Sequence, residues 1–330
     1  MAPAPQRLTV SRRSWPLAQA FTISRGSRTA AEVVVAELYD GDYRGRGECV
    51  PYPRYGESVD NVAAALEAMK GPVFSGLDRD ALQQAMPPGA ARNALDAAFW
   101  DIEAKRADRR AADLAGIGAL KPLITAYTLS LDTPERMGEA AAAQRTRPLL
   151  KLKLTGDGDL DRVAAVRRNA PQARLIVDVN EGWSVRHLTD VMPGLAEFGV
   201  ELIEQPLPAG KDDALADVPH PIPVCADESC HIAADLDALV GKYDAVNIKL
   251  DKTGGLTEAL SLAAAARERG FSVMVGCMIG TSLAMAPAML VAQQASVVDL
   301  DAPLLLATDR SPGLRYEGSL IYPPEPALWG

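Results

Sequence analysis

The rhythm of apolar and polar positions changes near residue 120. Before it, LTVSRRSWPL (8–17) and AEVVVAELYD (31–40) alternate and are rich in β-branched residues, which predicts two strands. RGRGECVPYPRYGES (44–58), dense in Gly and Pro, predicts a surface loop. Helical periodicity follows at 58–70, 78–86 and 90–115, the last amphipathic and stopped near Gly116. Residues 1–120 therefore read as an α+β module. From 122 the pattern alternates. Strands are predicted at 123–131, 149–155, 174–180, 200–206, 222–229, 245–252, 271–277 and 297–301. Helices fall between them at 134–145, 160–169, 184–198, 211–217, 234–241, 256–269 and 281–294. The strands are continuous apolar runs, as sheet covered on both faces requires. Eight strands and seven intervening helices predict an α/β fold over 121–303: a modified TIM barrel, (β/α)7β, without its last helix. The N-terminal module is its cap, and the Pro- and Gly-rich tail, 304–330, is expected to fold back and complete that cap.

Charged residues close the apolar runs at a near-constant step. Lys153 (LLKLKLT), Asp178 (LIVDVN), Glu204 (VELIEQP), Asp227 (PVCADES) and Lys249 (AVNIKLDK) are separated by 25, 26, 23 and 22 residues. Residues at the carboxyl ends of successive barrel strands converge on one mouth. Asp178, Glu204 and Asp227 offer three hard oxygen ligands, a set suited to Mg²⁺, which keeps further positions for substrate oxygens and water. Taken singly, a strand-end acid reads as a solvated charge; three in register flanked by lysines read as a site. Lys249 falls across the mouth from Lys153, and two bases on opposite faces of one carbon suit a 1,1-proton transfer. Lys151 shares the Lys153 strand face, and its charge together with a nearby metal is expected to lower the Lys153 pKa toward neutrality.

Composition narrows the partners. A net charge of −9 disfavours nucleic acid or an anionic membrane, and no apolar stretch approaches the ~20 residues of a membrane span. MAPAPQRLTV lacks the apolar run of a secretory leader, so a cytoplasmic protein is expected. Cys49, Cys225, Cys230 and Cys277 lack metal-ligand spacing and read as buried free thiols. The three histidines, His187, His220 and His231, sit at no strand end.

Further polar residues fall near the predicted mouth. Asn180 shares the face of Asp178, as support for the metal or a water. Glu228 points away from Asp227, as an outer support. Asp251, two residues past Lys249, is placed to orient that lysine. DLDAP puts Asp299 and Asp301 on one face of the eighth strand, suited to an ammonium group or else to capping the next segment. ISRGSRT carries Arg25 and Arg28 on a Gly-containing loop able to cover the mouth, as carboxylate binders or as solvated charges.

KLKL, DVNEGW, LIEQP, ADES and NIKLDKTGG together resemble the muconate-lactonizing branch of the enolase superfamily, across essentially the whole chain. Within it, DLDAP, RGSR, GECVPYPRYGES, GAARNALD, NIKLDKTGGLTEAL and GCM are similar to the dipeptide epimerases, most closely the bacterial L-Ala-D/L-Glu group. The resemblance implies Lys153 and Lys249 as the acid/base pair and one Mg²⁺ per subunit on Asp178, Glu204 and Asp227. It also implies a substrate-binding Lys151, a free amino terminus held by Asp299 and Asp301, and an acidic side chain read by Arg28. The implied substrate is a small dipeptide, most simply Ala-Glu from murein peptide recycling, and a homo-oligomer is compatible with it. GCMIGTS, with Ile279 and Gly280, leaves side-chain preference open. Three other activities of the branch share this barrel: N-acylamino acid racemase, o-succinylbenzoate synthase and cycloisomerase. A non-catalytic barrel that binds metal or peptide needs neither lysine.

Overall fold

The computed structural model describes residues 6–330. Residues 1–5, half of the segment read above for a leader, lie outside the described residues. Three antiparallel strands come first: β1 (Arg7–Ile23), β2 (Gly26–Asp40) and β3 (Tyr43–Cys49). β1 and β2 run on past their predicted ends to a tip at Ser24–Arg25, with Phe21 paired to Arg28, Thr22 to Ser27 and Ile23 to Gly26. RGSR is thus the end of a β-hairpin and not a loop; Gly26, at φ 132°, lets the chain reverse in two residues.

β3 is the RGRGEC segment predicted as a loop. Its glycines serve a close crossing. A Cβ on Gly47 would stand 2.0 Å from the Ala94 carbonyl oxygen, and one on Gly45 2.2 Å from that of Ala98. Helix α4 (Ala90–Arg106) therefore lies directly on the strand backbone, and packing, not a turn, explains the composition. α1 (Val59–Ala68), α2 (Lys70–Phe74) and α3 (Arg79–Ala85) precede α4, and α5 (Ala111–Leu114) follows it. The single helix predicted over 90–115 breaks because Asp108 turns left-handed, at φ 48°.

The predicted first barrel strand divides. β4 (Leu123–Ile124) joins a small antiparallel sheet with β13 (Tyr316–Glu317) and β14 (Leu320–Ile321), while β5 (Tyr127–Leu129) opens the barrel sheet. After β5 come β6 (Leu149–Lys153), β7 (Arg174–Asp178), β8 (Val200–Glu204), β9 (Val224–Ala226), β10 (Ala245–Ile248), β11 (Ser272–Val275) and β12 (Val297–Val298), parallel and in sequence order. The sheet curls until Ala126 N donates to Val298 O at 2.8 Å, joining first strand to last. The connections are α6 (Pro134–Ala143), α7 (Asp159–Asn169), α8 (Val185–Glu197), α9 (Leu250–Thr253), α10 (Leu256–Glu268) and α11 (Ser282–Ala292). The helices predicted at 211–217 and 234–241 are 3-10 turns of four and six residues, too short for an α-helical ladder. α12 (Ala302–Leu305) follows β12.

One residue from each barrel strand or its start fills the interior: Ala126, Leu149, Ile176, Leu202, Cys225, Ala245 and Met274, with Val297 against them. Strand side chains alternate, so two residues further on the same inward face lie Lys151, Asp178, Glu204, Asp227, Asn247 and Asp299. The apolar plug and the charged layer above it are one pattern. From the tail, Trp329 is fully buried and donates to Ala97 O at 3.0 Å, while Gly330 N donates to Asp101 at 2.7 Å.

We expect Gly47→Ala to destabilise the protein by about 3 kcal/mol, because α4 must move off β3 to admit a methyl group. An unchanged denaturant midpoint would show that the crossing is looser than the geometry requires.

Candidate active site

The ladder forms one buried ionic layer. Lys153 Nζ donates to Asp178 Oδ2 at 2.5 Å and to Asn180 Oδ1 at 3.2 Å. Lys151 Nζ touches three carboxylates: Asp178 at 3.1 Å, Glu204 at 2.7 Å and Asp299 at 2.7 Å. Lys249 Nζ donates to Asp227 Oδ2 at 2.6 Å and lies 3.7 Å from Glu204. Lys153 ends β6 and Lys249 follows β10, four strands apart in a curl of eight, so the two ammonium groups face each other across the mouth.

Burial raises the Asp178 and Asp227 carboxyls, but the lysines outweigh it: Lys153 and Lys151 hold Asp178, and Lys249 and Lys252 hold Asp227, below the usual carboxylate range. Glu204, with burial and Asp178 both against its charge, is raised. At Lys249 two effects compete. Burial pulls its pKa down, yet Asp227 and Glu204 prevail and hold it well above the ordinary value, because carboxylates stand closer than the other ammonium groups.

Asp178, Glu204 and Asp227 fit a hard divalent cation in chemistry: oxygen donors, buried, on three adjacent strands. Glu204 Oε2 and Asp227 Oδ1 lie near ammonium groups but accept no aligned hydrogen bond. Among the described residues no three such side chains close around a point as they lie, because ammonium groups stand between them. A divalent cation held by these oxygens would replace the lysines as their counter-charge.

Above this layer a cavity of about 410 Å³ opens toward the hairpin tip. Lys151, Lys153, Lys249, Asp227, Asp299 and Asp301 line its floor, and Phe21, Met278, Ile279 and Leu305 its apolar sides. Asp301 accepts from Thr128 N at 2.6 Å, and burial with Asp299 beside it pushes its carboxyl up to about 7. Asp299 Oδ1 is buried without a hydrogen-bond partner among the described residues. The hairpin arginines divide. Arg28 lies over the Tyr52 ring at 5.2 Å and, among the described residues, forms no ion pair. Arg25 is tied to Glu228 at 2.7 Å and Glu181 at 3.1 Å.

Family models cover nearly all of this architecture. Residues 6–116 match the mandelate racemase / muconate lactonizing enzyme N-terminal domain, and residues 134–324 the enolase C-terminal domain-like model. The chain belongs to the enolase superfamily. It is 48% identical over 309 residues to an L-Ala-D/L-Glu epimerase of Escherichia coli, spanning 93% of this chain and 96% of that one. An N-acetyl-D-glutamate racemase of Pseudoalteromonas is 45% identical, over 90% of this chain and 95% of the relative. An enolase family member from Agrobacterium tumefaciens with homology to dipeptide epimerases, crystallised with sodium and L-Ala-L-Glu and with its loop ordered, superposes with a TM-score of 0.98. It is 55% identical, with 99% of this chain and 100% of that one covered. A dipeptide epimerase from Enterococcus faecalis complexed with Mg and L-Leu-L-Tyr gives 0.91 at 28% identity, covering 97% and 98%.

Two placements in this superfamily chain, those of Glu228 and Asp251, differ from the sequence expectation, each because a strand ends early. β9 stops at Ala226, so alternation no longer applies and Glu228 enters the same cavity as Asp227 instead of pointing away. Its carboxyl is pushed up to about 7 by burial and by Asp227. β10 stops at Ile248 and α9 begins at Leu250, which swings Asp251 to the cap: it accepts from Val50 N at 3.0 Å and Asn93 Nδ2 at 2.8 Å, not from Lys249. β7 stops at Asp178, and Asn180 holds that carboxylate through its backbone N–H at 3.0 Å. Cys49, Cys225 and Cys230 are buried and free, while Cys277 is partly exposed at the cavity. Among the described residues no helix is long and apolar enough to cross a membrane.

Two residues of the layer were missed. Asn247 donates to Glu204 at 2.8 Å and lies two before Lys249, so the alternation that marks Lys151 marks it too. Lys252 is fully buried, 2.7 Å from Asp227 Oδ1, and donates to the carbonyls of Asp227, Cys230 and Asn247. It arrives on the helical turn of α9, which no strand spacing signals.

Burial, with Glu57 and Glu48 nearby, pushes the Asp251 carboxyl up to about 7 from its ordinary 3.8. The folded protein then binds this proton more tightly than the unfolded chain, so this group's contribution to stability falls as pH rises across that interval. We expect the melting temperature of Asp251→Asn to drop less than that of wild type between about pH 5 and about pH 8. Parallel pH profiles for the two proteins would contradict the assignment.

Proposed function

We propose that this protein epimerises the C-terminal residue of dipeptides by a two-base 1,1-proton transfer, with L-Ala-D-Glu and L-Ala-L-Glu as the substrate pair. The observation that carries this reading is the opposition of Lys153 and Lys249 across a mouth floored by carboxylates, at the ends of strands four apart. A dipeptide fits the cavity in one sense. Its terminal carboxylate lies at the Asp178, Glu204 and Asp227 end, with Lys151 beside it. Its α-carbon lies between Lys153 and Lys249, its amino terminus at Asp299 and Asp301, and an acidic side chain under Arg28. Asp178, Glu204 and Asp227 would hold one divalent cation per subunit, Mg²⁺ as in the E. faecalis relative, which would supply positive charge beside the substrate carboxylate as negative charge develops there. One lysine takes the α-proton from one face and the other returns a proton to the opposite face.

The reading extends to cell-wall peptide recycling in the cytoplasm, the source of such a dipeptide. It also takes residues 1–120 with the tail 304–330 as the cap and 121–303 as the catalytic barrel. Two observations favour a second reading, N-acylglutamate racemisation: Asp299 Oδ2 already accepts from Lys151 and Asp301 Oδ2 from Thr128 N, and the Pseudoalteromonas relative is an N-acetyl-D-glutamate racemase. Turnover of Ala-Glu against N-acetyl-glutamate separates the two. Racemisation of the acylated substrate alone would remove the dipeptide assignment.

Lys153→Ala and Lys249→Ala should each abolish epimerisation while leaving α-proton exchange in D₂O for one epimer, a different one in each variant. Full activity in either would end the two-base scheme. For Arg28→Ala, the preference for Ala-Glu over Ala-Leu should fall by at least about tenfold, the loss of one charged hydrogen bond. An unchanged preference would move acidic side-chain recognition elsewhere in the pocket.

A further inference from the structure

Arg25 sits at the hairpin tip beside Arg28, yet its guanidinium is spent on the barrel. Nη1 donates to Asn180 O at 2.9 Å and Glu181 Oε2 at 3.1 Å; Nη2 donates to Tyr52 OH at 2.9 Å and Glu228 Oε1 at 2.7 Å. Ser24, the other tip residue, donates to the same Asn180 carbonyl at 3.1 Å. That carbonyl belongs to a strained turn: Asn180 and Glu181 are both left-handed, at φ 48° and 69°, directly after Asp178. Consecutive non-glycine residues in this region persist only where surrounding contacts hold them. Glu181 has other anchors in Arg54, by two bonds of 2.7 Å, and in Ala209 N at 2.8 Å. Among the described residues, the Asn180 carbonyl has only the hairpin tip.

The turn aims the Asn180 side chain between two charges. Oδ1 accepts from Lys153 Nζ at 3.2 Å, and Nδ2 faces Glu228 Oε1 at 3.5 Å, the oxygen that Arg25 also holds. Arg25 therefore fixes both the peptide that carries Asn180 and the carboxylate that orients its amide. Among the described residues, neither Arg25 nor Asn180 contacts Lys249 directly. Its ion-pair partners are Asp227 and Glu204, and these are held in turn by Lys252 and Asn247.

We propose that Arg25 is a positioning residue for one of the two proton transfers, acting through Asn180 on Lys153 and leaving Lys249 untouched. The inference rests on the two-lysine reading. It separates two arginines three residues apart: Arg28 faces the substrate, and Arg25 couples the seating of the cap to the geometry of one base.

The test follows solvent-deuterium exchange at the α-carbon of L-Ala-L-Glu and L-Ala-D-Glu separately, with Lys153→Ala and Lys249→Ala showing which epimer meets which lysine. Arg25→Met should slow exchange of the Lys153-facing epimer by roughly 10- to 100-fold, the scale of a misplaced catalytic group, and leave the other within about twofold. Asn180→Ala should give the same one-sided loss, and the double variant should be no slower than Asn180→Ala alone. Equal slowing of both epimers by Arg25→Met, no slowing of either, or additive losses in the double variant would overturn the link. Absence of exchange in wild type would overturn the epimerase reading on which it stands. Unchanged melting temperatures for Arg25→Met and Asn180→Ala confirm that the losses are local, and a one-sided loss in Asn180→Ala without one in Arg25→Met assigns the turn to other contacts and overturns the role of Arg25.

Discussion

Everything in this molecule depends on the mutual neutralisation of buried charges at one end of the barrel. Lys151, Lys153, Lys249 and Lys252 lie out of water together with Asp178, Glu204, Asp227 and Asp299. An isolated ion in such a place costs many kcal/mol and would shed its charge or open the fold. Here each ion has at least one counter-ion within 2.7 Å, and Lys151 has two at that distance. Removal of one member leaves another uncompensated, so the layer behaves as a unit. The same property makes it chemically useful. In the epimerase reading, a site that already balances opposite charges out of water would accommodate a cation and an anionic substrate by exchanging partners.

The cap is part of that balance. Glu48 on β3 reaches into the barrel, accepting from Thr281 N at 2.7 Å, Thr281 Oγ1 at 2.8 Å and Arg310 at 2.6 Å, and so fixes the loop that carries Met278 and Ile279. Arg92 and Asp96 on α4 hold Thr253 O and Thr257 Oγ1, at 2.6 Å each, just past Lys249. A Cβ on Gly255 would lie 2.5 Å from Asp96, so the glycine pair after Lys252 is the footprint of the cap helix on the barrel. The hairpin tip closes the remaining side at Asn180. Three separate elements of the N-terminal module thus bear on the ends of β7, β10 and β11, which is why cap and barrel share one site.

Much of this was legible in the chain. The period of apolar runs located all eight barrel strands, since parallel strands covered on both faces must be apolar throughout. Lys153, Asp178, Glu204, Asp227 and Lys249 stood out because charge at the end of such a run is costly and therefore informative. Elements whose composition answers to a distant partner read differently: RGRGEC looks like a loop because α4 leaves no room for a side chain at Gly45 and Gly47, on the face of β3 that it covers. Glu228 and Asp251 were misplaced for a related reason. Alternation holds only while the strand continues, and the strand ends are set by neighbouring turns.

The sequence by itself determined the barrel, its order and the ladder of charges, because these follow from local periodicity and from the two-residue repeat of a strand. Only the tertiary structure decided how the charges are shared. Lys252 and Asn247 steady Asp227 and Glu204 from below, and Arg25 serves the barrel while Arg28 faces the cavity. Those assignments depend on which groups meet across strands and between cap and barrel. Such meetings are fixed by packing over distances that no spacing along the chain encodes.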